Sequence, residues 1–231
     1  MKHLLETKNI NKYFHDPTTV HVLTDVSITI DKGEFVSIIG RSGSGKSTLL
    51  YILSTMDTDF EGELYLDGES MRNRSNEELA RVRNEKIGFV FQFHYLLPEF
   101  TVLKNVMLPG LKLKRYSDKE VEEIAMNKLR ELGIEKLAHR NAAMISGGEK
   151  QRVAIARALI NDPLIIMCDE PTGNLDKRNS EIVFEIFQRL VYERGQSILV
   201  VTHDADFASR TDRIIEMEDG KIIGDRELKE R

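Results

Sequence analysis

The chain has one cysteine, no tryptophan, only five prolines and no long apolar run, and each scarcity removes a class of protein. A single thiol, Cys168, cannot close an intramolecular disulfide, so a disulfide-stapled secreted scaffold is excluded. Beside Ile165, Ile166 and Met167 it reads as a small core side chain. No apolar stretch nears the roughly 20 residues that span a bilayer. The opening Met1-Lys2-His3-Leu4-Leu5-Glu6 meets charge too early for a signal peptide, so a cytoplasmic location is expected. The net charge of −5 is not the basic excess of a non-specific nucleic-acid binder, and no nucleic-acid partner is expected. What remains is globular material, 41% hydrophobic and 31% charged, in a 231-residue chain long enough for one large α/β domain.

The most informative segment is Gly40-Arg41-Ser42-Gly43-Ser44-Gly45-Lys46-Ser47-Thr48. It follows the apolar run 35–39 and precedes the apolar run 49–53, the strand, glycine-rich loop and helix order that a phosphate-binding P-loop requires. The glycines let successive N–H groups turn inward around an anion, and the helix start adds its positive end. Lys46 is expected to reach the β- and γ-phosphates, and Ser47 to hold a magnesium ion bridging them. A plain glycine-rich turn is the alternative; the complete spacing in this context weighs against it.

Along the chain, Leu4–Ile10, Val20–Leu23 and Val26–Ile30 alternate as strands, and 62–68 reads as a strand closed by an Asp-Gly turn. A short charged helix over 76–83 leads to a strand over 87–91. From Leu96 to about Ile160 the period becomes helical: Leu103, Val106 and Met107 in one stretch, Val121 to Leu132 behind Ser117 in another, and 148–159 stopping before Asp162-Pro163. The last third alternates as in a parallel sheet: strand 164–168, helix 180–194, strand 197–201, helix 204–210, and a hairpin about Asp219-Gly220.

The strand 164–168 ends in Asp169 and Glu170, at the sheet edge where α/β proteins bind ligands. Asp169 suits the Mg²⁺ shell and Glu170 a base that polarises water for attack on the γ-phosphate. A strand closing in a polar turn would look the same without the P-loop.

The segment Ile145-Ser146-Gly147-Gly148-Glu149-Lys150-Gln151-Arg152 resembles the signature sequence of the ATP-binding-cassette (ABC) ATPases. Ser146 and two glycines before a helix could hold an anion, or Ser146 could simply cap the helix. The resemblance covers essentially the whole chain. It implies a P-loop ATPase core with a mostly parallel sheet, an N-terminal antiparallel β subdomain and a helical insert. These form a single domain, 1–231, with the core in 1–92 and 161–231 and the helical subdomain in 93–160. It implies ATP and Mg²⁺ as cofactors and a head-to-tail homodimer. Each ATP would lie between the P-loop of one copy and Ser146, Gly147 and Gly148 of the other.

By the same resemblance Gln92 touches Mg²⁺ and the attacking water, and His203 is the switch histidine at the γ-phosphate. Asp176, in Gly173-Asn174-Leu175-Asp176, belongs to the loop crossing the dimer interface. Phe14 stacks on adenine, with adjacent Tyr13 as the alternative. Two positions depart from the family pattern: Ile145 replaces the usual leucine, and Glu149 stands where glutamine is frequent, adding a negative charge that weakens ATP sandwiching slightly.

Residues 91–101, Phe-Gln-Phe-His-Tyr-Leu-Leu-Pro-Glu-Phe-Thr, resemble the glutamine loop of lipoprotein-releasing ATPases. That group also holds macrolide and antimicrobial-peptide exporters and a cell-division ATPase. The expected partners are separate transmembrane permease subunits on the inner face of the cell membrane, docked on Phe93, His94, Tyr95, Leu96 and Leu97 unless these pack inside the insert. A soluble ABC ATPase of translation or DNA repair is the second reading. A P-loop kinase or GTPase, lacking here an Asn-Lys-x-Asp motif, is the third.

Overall fold

Apolar runs of two kinds, alternating and continuous, sort into two sheets. The computed structural model describes residues 3–15 and 17–228. The chain opens with β1 (Leu5–Phe14), β2 (Val20–Val26), β3 (Thr29–Ile30) and β4 (Phe35–Ile39), then loops into α1 (Lys46–Leu53). A hairpin of β5 (Glu61–Leu66) and β6 (Glu69–Ser70) follows, then α2 (Asn76–Lys86) and β7 (Ile87–Val90). Next come the helices α3 (Val102–Leu113), α4 (Asp118–Glu131) and α5 (Gly147–Leu159). The remainder alternates: β8 (Ile165–Asp169), α6 (Lys177–Arg194), β9 (Ser197–Val201), α7 (Ala205–Ala208), β10 (Arg213–Glu218) and β11 (Lys221–Glu227).

The larger sheet has the order β11-β10-β4-β9-β8-β7 and is parallel except for the β10–β11 hairpin. Parallel strands covered on both faces read as continuous apolar runs, and every residue of β8 and β9 is buried. Their two-residue period divides the core. Ile165, Met167, Leu199 and Val201 face a cluster shared with α1, α2 and the smaller sheet, while Ile166, Cys168, Ile198 and Val200 face one shared with α3 to α6. Cys168 is a fully buried free thiol, and burial pushes its pKa up. The smaller sheet, β2-β1-β5-β6 with β3 beside β1, is antiparallel.

Several boundaries differ from expectation. β1 continues past Ile10 to Phe14 because bulges against β2 at Ile10/Lys12 and Lys12/Tyr13 break the alternation. Val26 closes β2, which leaves only Thr29–Ile30 for β3. α6 begins at Lys177 because the Asp176 side chain caps it, accepting from the Asn179 N–H at 2.8 Å. α7 stops at Ala208, its last turn tightening as Arg210 N–H bonds Phe207 O at 3.2 Å. α3 carries Pro109 within it, and its fully buried Asn105 pins the preceding loop by bonding both Leu97 N (2.7 Å) and Leu97 O (3.1 Å).

Candidate functional site

The parallel strands deliver β4, β8 and β9 to one edge of the sheet, and the loops leaving that edge carry most of the expected chemistry. After β4 the chain must bend sharply. A Cβ at Gly40 would lie 2.2 Å from Met217 O, so no side chain fits there. Gly45 occupies the N-cap of α1 at φ +96°, where its own Cβ would meet Leu23 at 2.8 Å. Having no capping side chain, α1 starts open. Lys46 is buried, and its Nζ donates back across the loop to Gly40 O (2.9 Å) and Arg41 O (3.0 Å). Burial pushes its pKa down, while Glu170 and Asp169 push it up. Arg41 and Ser42 are exposed; Ser44 is buried with an unpartnered Oγ.

Asp169 closes β8 below this loop. Its Oδ1 accepts from Ser47 Oγ at 3.0 Å and its Oδ2 from Tyr51 Oη at 3.3 Å. Burial raises its pKa, and the two hydroxyls oppose that rise. Glu170 adopts φ +46°, with its N–H bonded to Val201 O at 2.9 Å. Its Oε1 lies 2.7 Å from His203 Nδ1 and its Oε2 accepts from Thr202 Oγ1 at 3.1 Å. An ionised carboxylate here needs the proton on Nδ1, which leaves Nε2 of the exposed imidazole free.

A cleft of about 410 Å³ brings Ser42, Gly43, Gly45, Lys46, Ser47 and Thr48 together with Gln92, Glu170 and His203, and Val22 closes one side. Ser47, Asp169 and Gln92 offer hydroxyl, carboxylate and amide oxygens, a hard donor set that fits Mg²⁺. Among the described residues no cluster of three or more His, Cys, Asp or Glu could hold a metal by itself.

Other expected residues do not line this cleft. Phe14 ends β1, 46% exposed, with Lys12 Nζ 4.9 Å from its ring centroid. The Tyr13 ring is instead stacked on His21 at 4.2 Å. Ser146, Gly147 and Gly148 open α5, where Ser146 and Glu149 form a capping box. Glu149 Oε2 accepts from Ser146 N and Ser146 Oγ, both at 2.7 Å, and these bonds hold its pKa down. A Cβ at Gly148 would lie 2.0 Å from Asn179 Oδ1, so the starts of α5 and α6 pack closely. The neighbouring loop reaches the cleft through Asn174, whose Nδ2 donates to Gln92 O at 3.2 Å. Of the five residues expected to dock a partner, Phe93, Tyr95 and Leu97 are exposed, His94 is half-buried and Leu96 packs on the core. Arg157 fastens this loop by donating to Tyr95 O (2.7 Å) and His94 O (2.6 Å).

Sequence reasoning missed Tyr51 and Thr202. Tyr51 stands four residues after Ser47, on the same face of α1, a spacing that could have identified it. Thr202 carried only a weak signal, a hydroxyl ending an apolar run.

Residues 23–173 match the ABC transporter family. The lipoprotein-releasing system ATP-binding protein LolD of Aquifex aeolicus is 48% identical over 97% of this chain and 98% of its own length. Its Porphyromonas gingivalis namesake is 47% identical over 96% of this chain and 100% of its own. Among solved structures, the dimeric bacterial ABC transporter cassette MJ0796 superposes with a TM-score of 0.91 at 39% identity, covering 98% of this chain and all of that one. A post-hydrolysis dimer of the same cassette, bound to ADP and Pi, gives 0.90. Among the described residues no helix is long and apolar enough to cross a membrane.

Proposed function

The chain belongs to the ABC transporter family and is an ATPase; on that premise we propose that it powers a lipoprotein-releasing membrane complex, as the names of its relatives suggest. The carrying observation is the convergence of the P-loop, Gln92, Glu170 and His203 on one cleft. ATP binds with its phosphates in the loop 40–48, Lys46 swinging from its two carbonyl contacts to the β- and γ-phosphates. Ser47, Gln92 and Asp169 would hold Mg²⁺, which would supply charge neutralisation during phosphoryl transfer. Glu170 orients and deprotonates the attacking water. His203 steadies the Glu170 carboxylate and presents its second nitrogen to the γ-phosphate. Phe14 offers the free aromatic face for adenine.

The active unit is a dimer in which Ser146, Gly147 and Gly148 of one copy close over the nucleotide of the other, with Asp176 in the joining loop. The dimeric relative supports this arrangement. The chain acts at the inner face of the cell membrane through permease subunits docked on Phe93, Tyr95 and Leu97. An exporter of macrolides or antimicrobial peptides would use the same machinery; the LolD relatives favour lipoproteins. The test is reconstitution in vesicles with the permease subunits that co-purify in mild detergent. Lipidated protein should leave the vesicles when MgATP is added, and ATP turnover without such release would reject the lipoprotein reading.

A further inference from the structure

Glu170 is a non-glycine residue in the left-handed region, so its side-chain direction is imposed by what holds it. Its carboxylate has two tethers, and they differ. His203 is largely exposed, whereas Thr202 is fully buried. Thr202 N–H bonds Ile38 O at 3.1 Å, which fixes it to the strand feeding the P-loop. Its Oγ1 accepts from Asp204 N–H at 3.0 Å, so the one hydroxyl proton is directed at Glu170 Oε2, 3.1 Å away. One buried hydroxyl thereby fixes both the carboxylate and the backbone turn that presents His203.

We propose that Thr202 is a positioning residue for ATP hydrolysis, acting through Glu170 by holding its carboxylate where it meets the attacking water. The proposal rests on Glu170 being the base. A general base works within about 2.6–3.2 Å, heavy atom to heavy atom, of the group whose proton it takes. A misplacement of about 1 Å can cost roughly 10²-fold.

Thr202→Val keeps the shape of the side chain and removes both hydrogen bonds. Its kcat for MgATP should fall about 10–100-fold. KM and the affinity for a fluorescent ATP analogue should not change. Thr202→Ser, which keeps the hydroxyl, should restore turnover. In a Glu170→Gln background, single-turnover hydrolysis should lose little more on adding Thr202→Val, because both changes act on one group. Wild-type kcat in Thr202→Val, a serine variant as slow as valine, or an equal fractional loss in both backgrounds would each overturn the proposal. If Thr202→Val fails to fold, Thr202→Ala against Thr202→Ser carries the same contrast. Normal turnover by Glu170→Gln alone would instead reject Glu170 as the base, a failure separable from that of Thr202.

Discussion

Two helix starts were expected to receive phosphate, and they are built in opposite ways. α1 begins at Gly45 with no capping side chain, and the Lys46 ammonium lies folded against the loop beside it. α5 begins at Ser146 with a side-chain cap in place: Ser146 Oγ accepts from the Glu149 N–H, and Glu149 returns to accept from both the backbone and the hydroxyl of Ser146. An open start is a site that an anion can enter without displacing a capping side chain. A capped start binds an anion only after its own carboxylate has yielded. On this account the P-loop end captures ATP within one copy, and the α5 end is recruited later, when a second copy brings its nucleotide close.

The largest effect should come from Glu170→Gln, which leaves both helix starts untouched. Loss of a general base commonly costs about 10²–10⁴-fold in rate. MgATP should still bind and now hold two copies together, which sedimentation with and without nucleotide detects. Lys46→Ala damages the open start itself. A charge-assisted hydrogen bond contributes about 1.5–3 kcal/mol, so ATP affinity should drop about 10–100-fold in a fluorescent titration. Ser146→Ala strikes the capped start. Thermal unfolding should show about 0.5–2 kcal/mol lost from the cap, with single-copy ATP affinity intact. The smallest change is Glu149→Gln, which keeps a side chain able to complete the capping box but removes its charge. A charge at a helix N-terminus contributes about 0.3–1 kcal/mol, so in a Glu170→Gln background the ATP needed for half-maximal dimerisation should fall about two- to fivefold. A rise would mean that the carboxylate assists closure.

The legible parts of this molecule are those whose signal is local. Strands β4, β8 and β9 announce themselves as apolar runs because both faces of the sheet are covered. The P-loop is legible because phosphate binding imposes residue types at fixed spacing on one continuous segment. The end of β1 was hidden because bulges shift the alternation at Lys12, and the early start of α6 because Asp176 read as an interface residue rather than a cap. Thr202 and Glu170 meet only because β8 and β9 are neighbours in the sheet, which no spacing in the chain reveals. The Ser146–Glu149 box was within reach of sequence reasoning, since a serine three residues before a glutamate is the pattern of a capping box.

The contrast between an open and a capped start is tested most directly by mixing two crippled copies. Ser146→Arg blocks the capped start with a bulky side chain, and Lys46→Ala disables the open one. Each protein alone should release almost no phosphate. In a mixed dimer both lesions fall in one composite site and the other is whole, so phosphate release should reappear and peak at intermediate mixing ratios at fixed total protein, once subunit exchange is verified. Folded Ser146→Arg protein that hydrolyses ATP normally by itself would contradict the account, because the start of α5 would then be a helix cap and nothing more.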